Sequence, residues 1–357
     1  MKLGETLLSR SEVLGLLAVA GSFRAGSAIA VINQPRLPPL DGPYEVGCRL
    51  TRVNGARTKL FYPAAVAGGM DAPYCTDGRE TSDGMAGLVG FRQLGLSFLL
   101  AHLATATSGC WLNAPPLSKE PMPLLVYSHG FGGNMDMASY MMRAFASHGA
   151  VVACVEHTDG TASSTRLQDG TQLTFSPGLL SRREQLVRRA DELLAAAAAG
   201  ALGDDLPPAS GLYLGGHSYG GPSALLAVSR APQSLDVSGL LLHDPALGMN
   251  AGIDSAVGSG TIGMLPALSY VSDEYDRAGV RCGATLHTVG GFHGNFVDAP
   301  LWAPPWVMRP LSAVIPAAGP CDPIEMHSSL ARTGTEFMRG ERTISKLRSS
   351  LLELRAL

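Results

Sequence analysis

The chain carries no surplus of positive charge. Its 27 Lys and Arg stand against 30 Asp and Glu, for a net charge of −3 and a pI near 6.3. That balance argues against nucleic acid, or an anionic membrane held by charge, as a partner. No CxxC pair and no Cys/His run at metal-ligand spacing occurs, so no metal framework is legible. The six cysteines (Cys48, Cys75, Cys110, Cys154, Cys282 and Cys321) are widely scattered, which leaves room for a disulfide or two but defines no scaffold. Cys154, inside Val151-Val152-Ala153-Cys154-Val155, reads as a buried strand residue. No internal repeat is present, and the apolar run Val13 to Ala20 is too short to span a bilayer. What the chain does have is 43 Gly, 24 Pro and 46% hydrophobic residues. These indicate a turn-rich α/β protein with ample apolar surface for one large core.

The first thirty residues read as a signal or transit segment. Lys2 and Arg10 precede the apolar run, and Ala28-Ile29-Ala30 resembles a small-residue cleavage site. Such a segment implies a secreted or organellar destination. Glu5, Glu12 and Arg24 fit it less well, and the alternative is an ordinary N-terminal helix on a cytoplasmic chain. Residues 31–43, with Pro35, Pro38, Pro39 and Pro43, are expected to form a linker, and residues 44–357 a single domain.

Two strands, Tyr44 to Val53 and Thr58 to Tyr62, are expected around the Asn54-Gly55 turn. Residues 65–85 read as irregular, and Leu88 to Leu100 as an apolar stretch with one charge. Leu124 to Tyr127, Val151 to Glu156, Leu212 to Leu214, Leu240 to Leu242 and Thr285 to Val289 read as buried strands. Helices are expected over Met135 to Ser147, Ser181 to Ala199, the stretch from Pro222, Met326 to Phe337 and Ile344 to Leu354. Strands that alternate with helices imply a mostly parallel sheet covered on both faces, with an antiparallel strand pair at its N-terminal side.

Gly216-His217-Ser218-Tyr219-Gly220-Gly221 lies between one of these strands and a helix. A nucleophile elbow needs that strand–turn–helix setting, with side-chain-free neighbours two residues either side of a strained serine. Gly216 and Gly220 meet the requirement, which makes Ser218 the candidate nucleophile. A serine at its normal pKa needs a histidine base, and the base needs an acid to hold its tautomer. Asp244, in His243-Asp244-Pro245, is the acid that falls directly at the carboxyl end of a strand. Of the later histidines, His243 should point away from Asp244 and His287 should be packed within a strand. His293 sits in the glycine-flanked loop Gly290-Gly291-Phe292-His293-Gly294-Asn295-Phe296 and is the candidate base. For an oxyanion, the N–H groups of Tyr219 and of Phe131, in Ser128-His129-Gly130-Phe131-Gly132-Gly133, are the candidate donors. A phosphate-binding loop is the rival reading of that glycine run, but no Lys-Ser/Thr follows it and its spacing is not GxGxxG.

With these residues in place, the chain resembles the platelet-activating factor acetylhydrolases of the plasma and intracellular type II group. The resemblance runs from about residue 44 to about residue 300. It rests on Leu124 to Gly132, on Ala146 to Ser163, on Arg183 to Ala190, on Gly216 to Gly221 and on His293-Gly294-Asn295-Phe296-Val297-Asp298. The resemblance implies an α/β-hydrolase fold and a triad of Ser218, Asp244 and His293, with oxyanion donors Phe131 and Tyr219. It also implies calcium-independent hydrolysis of short or oxidised sn-2 acyl groups of glycerophospholipids, with no metal or organic cofactor. In the family the helical stretch matching residues 88–103 helps dock on lipid surfaces; a core helix is the other reading of that stretch. The chain departs from the family after Asp244, where an aromatic is missing, and over the proline-rich Leu301 to Trp306. Both regions would shape the substrate pockets. The alternative is a soluble carboxylesterase or polyester-type hydrolase of the same fold. An acyltransferase and a non-catalytic lipid-binding module are more distant readings.

Overall fold

The computed structural model describes residues 35–65, 68–198, 200–248, 265–302, 318–347, 349 and 351–354. The expected signal or transit segment, the first residues of the linker and most of the proline-rich departure near Pro304 lie outside the described residues. In chain order the strands are β1 (Val46–Val53), β2 (Ala56–Pro63), β3 (Asp71–Pro73), β4 (Thr107–Leu112), β5 (Met122–Ser128), β6 (Val151–Glu156), β7 (Ser164–Arg166), β8 (Gln172–Thr174), β9 (Ala209–His217), β10 (Val237–His243), β11 (Ala267–Val271), β12 (Ala284–Thr288) and β13 (Leu352–Leu354). The helices are α1 (Arg79–Leu88), α2 (Ser139–Ser147), α3 (Arg182–Ala197), α4 (Gly220–Arg230), α5 (Asp273–Arg277), α6 (Ala299–Trp302) and α7 (Pro323–Met338).

One sheet runs in the order β13-β12-β11-β10-β9-β5-β6-β2-β1-β4-β3. Its middle, from β6 to β12, is parallel throughout. The β1–β2 hairpin is antiparallel, and its turn residues Asn54 and Gly55 have φ of 46° and 88°. Two positive φ values match the right-handed twist of the strands they join. At both ends the sheet finishes in a three-residue antiparallel strand, β3 against β4 and β13 against β12.

The central strands are apolar on both faces because both are covered. On β6, Val152 and Cys154 join one core while Ala153 and Val155 join the other. The first core packs beneath α2 and α7, with Met142, Phe145, Met326, Leu330 and Phe337 against Leu125, Leu241 and Leu268. The second packs beneath α3 and α4, with Leu186, Ala190, Leu193, Ala224 and Leu225 against Val126, Leu214 and Leu240. Thus the expected helices-on-both-faces sheet is what forms. A capping box opens α3: Ser181 accepts from the Glu184 N–H at 3.4 Å, and Glu184 accepts from the Ser181 N–H at 2.8 Å. Gly200 (φ 73°) follows its last turn.

Several elements differ from expectation. The described residues of 344–354 form no long helix: a short 3-10 turn lies at 344–346 and is followed by β13. The open edge of β12 decides this, since Leu354 pairs opposite Leu286 and a strand's context outweighs local propensity. Residues 88–103 are not one helix either. The α1 helix ends at Leu88, Gly90 and Gly95 (φ 80° and 72°) turn the chain, and a 3-10 helix spans Ser97–Thr105. The stretch expected to be irregular holds β3 and the first turns of α1. The α2 helix starts at Ser139 rather than near Met135, because the Asn134 side chain accepts the N–H groups of Asp136 and Met137 and holds a turn there. Strands β4 and β11 had no counterpart in the sequence reading. The described part of the linker lies against the domain: Leu37 is buried and its N–H bonds to Thr107. All six cysteines are free.

Removing the Ser181 hydroxyl should leave a helix N–H without its acceptor. Ser181→Ala is expected to cost about 0.5–2 kcal/mol, read as a lower urea midpoint at unchanged slope. An unchanged midpoint would show that solvent caps α3 equally well.

Candidate active site

The β9 strand ends at His217 and α4 begins at Gly220, so Ser218 and Tyr219 alone make the turn. Ser218 has φ 54°, in the left-handed region that costs an L residue energy. Its N–H donates to the His243 carbonyl at 3.0 Å, and its carbonyl accepts from Gly221 and Ala246, each at 3.0 Å. A side chain at Gly216 would overlap the Gly220 backbone, and one at Gly220 would overlap the Ser128 carbonyl. Both glycines are therefore required by space. The second draws the end of β5 against the serine turn.

Asp244 follows β10 and also has a positive φ, 44°. Its buried carboxylate accepts the His293 Nδ1–H at 2.9 Å and the Ser272 N–H at 2.6 Å. His293 opens a 3-10 turn, His293–Phe296, directly after β12. Its backbone N–H donates to Glu274 at 2.8 Å. The other histidines lie as expected. His243 is in the core, where its Nδ1 bonds to the Tyr127 hydroxyl at 2.9 Å, and burial pushes its pKa down to about 3. His287 pairs with Asp273 at 2.7 Å.

Ser218, His293 and Phe131 line one cavity of about 170 Å³, walled largely by Leu88, Met135, Met137, Ala138, Val155 and Val297. Among the described residues, no group accepts a hydrogen bond from the N–H of Phe131 or of Tyr219. Those two amides leave β5 and β9 side by side, which makes them available donors. Ser218 and His293 make no direct hydrogen bond; the Tyr275 ring lies against the His293 imidazole, with centroids 4.8 Å apart. Tyr275, Ser272 and Glu274 were not singled out from sequence. Their segment offers only a weak signal, a serine ahead of acidic residues at a helix start.

Beneath the Phe131 loop lies a buried polar network that unites three of the resembling segments. Arg189, fully buried, donates to the His129 carbonyl at 2.6 Å and pairs with Asp159 at 2.8 Å. Burial alone would raise the Asp159 pKa, but Arg189, His157 and the Thr161 hydrogen bonds hold it well below the usual carboxylate range. His157 bridges Ser128 Oγ and Glu192, each at 2.7 Å. Burial keeps His157 neutral and pushes the Glu192 carboxyl up to about 7. On the outer side, the Arg182 guanidinium lies 4.2 Å from the centre of the Phe131 ring, which meets the Tyr219 ring edge-on at 5.7 Å. The polar residues within the apolar run 151–163 were the available sequence signal for this network.

The His293–Asp298 segment is clamped from behind. The Asn295 side chain accepts N–H groups from Phe292 at 2.9 Å and Gly319 at 2.6 Å, while Phe296 is fully buried. Asp298 accepts the Tyr140 N–H at the start of α2 at 3.1 Å. Its burial pushes the carboxyl up to about 8, against the lowering influence of the Tyr140 N–H and Arg143.

A mostly parallel sheet with a serine at the β9–α4 elbow, an acid after β10 and a histidine after β12 defines an α/β-hydrolase. A solved structure of a ferulic acid esterase from Streptomyces cinnamoneus shares this fold, with a TM-score of 0.65 and 18% identity over 91% of this chain and 100% of that one. Residues 29–188 match the family model of platelet-activating factor acetylhydrolase, isoform II. The chain is 32% identical to the platelet-activating factor acetylhydrolase of Canis lupus familiaris and 31% identical to that of Bos taurus, each over 152 residues. Each alignment covers 42% of this chain and 34% of the relative, so the chain spans about a third of the length of these curated relatives. The chain is thus similar to this family, as its motifs indicated. The family match contains the Phe131 loop and most of its supporting network but stops before Ser218, so the elbow geometry is an observation independent of it.

Asp298 supplies a pH test. Its folded pKa, about 8, lies above the ordinary 3.8. Its contribution to stability is therefore complete below about pH 4 and is lost as pH rises through 8. Asp298→Asn has no such loss. Its melting temperature relative to the native chain should climb from pH 5 to pH 8; a constant difference would show that Asp298 is ionised in the fold.

Proposed function

We propose that the protein is a serine esterase that hydrolyses the sn-2 short-chain or oxidised acyl ester of glycerophospholipids. The observation that carries the reading is a cavity lined by Ser218 on a strained elbow, by His293, paired with Asp244 at 2.9 Å, and by Phe131; the N–H groups of Phe131 and of Tyr219, next to Ser218 on its turn, have no acceptor among the described residues. Ser218 Oγ attacks the ester carbonyl. His293 takes its proton and then delivers it to the lysolipid leaving group, while Asp244 holds the imidazole tautomer and stabilises the imidazolium. The Phe131 and Tyr219 amides receive the oxyanion, a contribution of roughly 3–4 kcal/mol per donor. Water, activated by His293, then releases the acyl group. Catalytic hydrogen bonds often close only when substrate is bound, so rotation of the Ser218 side chain towards His293 belongs to the first step. These residues supply nucleophile, base and charge stabilisation, and the proposed route assigns no step to calcium.

The substrate class rests on similarity to the family together with two features of the site. The cavity, about 170 Å³, is below the roughly 300–1,000 Å³ typical of sites for drug-sized ligands, which suits a short acyl group. Beside it, Val89, Leu94, Phe98 and Leu99 are exposed, with Phe98 at 65%. An apolar patch of this kind fits peripheral contact with a lipid surface through residues 88–103.

Ser218→Ala should lower turnover of a short-chain ester by at least about 10³-fold with an unchanged melting temperature. Activity within tenfold of the native protein would remove Ser218 from the mechanism. A panel of vesicle phospholipids that vary in sn-2 chain, set against a soluble nitrophenyl ester, tests the substrate. Faster cleavage of short-chain phospholipid supports the proposal; preference for the soluble ester, without vesicle binding, would instead identify a soluble carboxylesterase.

A further inference from the structure

Three groups from one short segment converge on the candidate triad. The Ser272 N–H donates to Asp244 at 2.6 Å, and Glu274 accepts the His293 N–H at 2.8 Å. Between these contacts, the Tyr275 ring lies against the His293 imidazole, with centroids 4.8 Å apart and planes inclined by only 8°. A second ring, His217, approaches the same imidazole at 4.5 Å and is itself stacked on Phe296. Tyr275 is buried, and its N–H is tied to Ser272 Oγ at 3.2 Å.

His293 stands on a loop that contains Gly290, Gly291 and Gly294. The bond from Nδ1 to Asp244 fixes one edge of the imidazole but leaves it free to swing about that bond. A parallel aromatic plane removes this freedom. An aromatic face also favours the ring when it becomes a cation, as the proposed proton transfer requires. We infer that Tyr275 is a positioning residue for acyl transfer: its ring sets the plane of His293. The inference rests on the proposed roles of Ser218 and His293.

Two substitutions separate the contributions. Tyr275→Phe keeps the ring and removes the hydroxyl; Tyr275→Leu removes both. With a soluble short-chain ester, Tyr275→Phe should keep kcat within about twofold, because the stacked ring remains. Tyr275→Leu should lower kcat on the order of 100-fold, since a misplaced catalytic group can cost that much. KM should stay within about twofold in both, because a residue that aligns the reacting groups acts on the transition state and not on binding. Phenylalanine therefore restores most of what leucine loses, which a general packing role does not predict at equal melting temperature. The inference is overturned if Tyr275→Leu keeps native kcat, if phenylalanine loses as much as leucine, or if the loss appears in KM. Were Tyr275→Leu to misfold, Tyr275→Met takes its place: the same loss of kcat is expected, and native kcat in that variant overturns the inference. Labelling of the native protein by a fluorophosphonate serine probe distinguishes the two levels. Failure of Ser218 to label overturns the site reading and this inference together; normal labelling with unaltered Tyr275 variants overturns this inference alone.

Discussion

A contact made possible by a missing side chain governs this molecule. The backbone of Gly220 rests where any Cβ would collide with the Ser128 carbonyl at the end of β5. That closeness has two consequences. It forces the neighbouring Ser218 into a left-handed conformation, φ 54°, so that the serine stands clear of the sheet. It also brings the loop that leaves β5, which carries Phe131, alongside the turn that leaves β9, which carries Tyr219. The strain is held by three backbone hydrogen bonds at Ser218, one of which reaches the strand that delivers Asp244. Nucleophile, acid and candidate oxyanion donors are thus parts of one compact backbone arrangement and not separate placements.

Charge buried beneath the loop keeps that arrangement rigid. Arg189 and Asp159 are both fully enclosed, and taking them from water is costly unless every donor is used. Here each Arg189 nitrogen finds an acceptor: Asp159 for Nε, the His129 carbonyl for Nη1 and Thr161 Oγ1 for Nη2. The price of removing one partner is therefore an unpaired buried charge. A loop tied to such a centre has few alternative positions, which suits amides that must be aimed before a reaction begins. Since Arg189 lies on α3 and Asp159 follows β6, helix and sheet are locked together by the same group.

The sequence was most legible where a physical requirement leaves few residues to choose from. Gly216 and Gly220 are dictated by space, Asp244 by the end of a strand, and His293 by a flexible loop after the last parallel strand. The buried strand Val151 to Glu156 and the helix that starts at Ser181 were readable for similar reasons. Legibility failed where the deciding partner is distant in the chain. The Leu352–Leu354 strand carries apolar residues compatible with a helix, and only the free edge of β12 settles the matter. The Ala267–Val271 strand is short and interrupted by Ser269, whose hydroxyl is satisfied by the Cys282 carbonyl at 2.5 Å. Five-residue α5 has no hydrophobic period to detect, although it and its N-cap Ser272 supply contacts to both His293 and Asp244. The turn at 89–95 was hidden because Gly90 and Gly95 interrupt an otherwise continuous apolar run.

The two flanks of the sheet have a bearing on life in a crowded solution. A long parallel array exposes, at each rim, a row of peptide groups ready to recruit another polypeptide. Among the described residues, each rim is closed by a three-residue strand running the opposite way, Asp71–Pro73 on one side and Leu352–Leu354 on the other. Pro73 cannot donate a hydrogen bond, and Glu353 sets a charge in the middle of the second closure. Neither border offers a neighbouring copy a template long enough to zip onto, so the architecture carries its own protection against fibrillar growth.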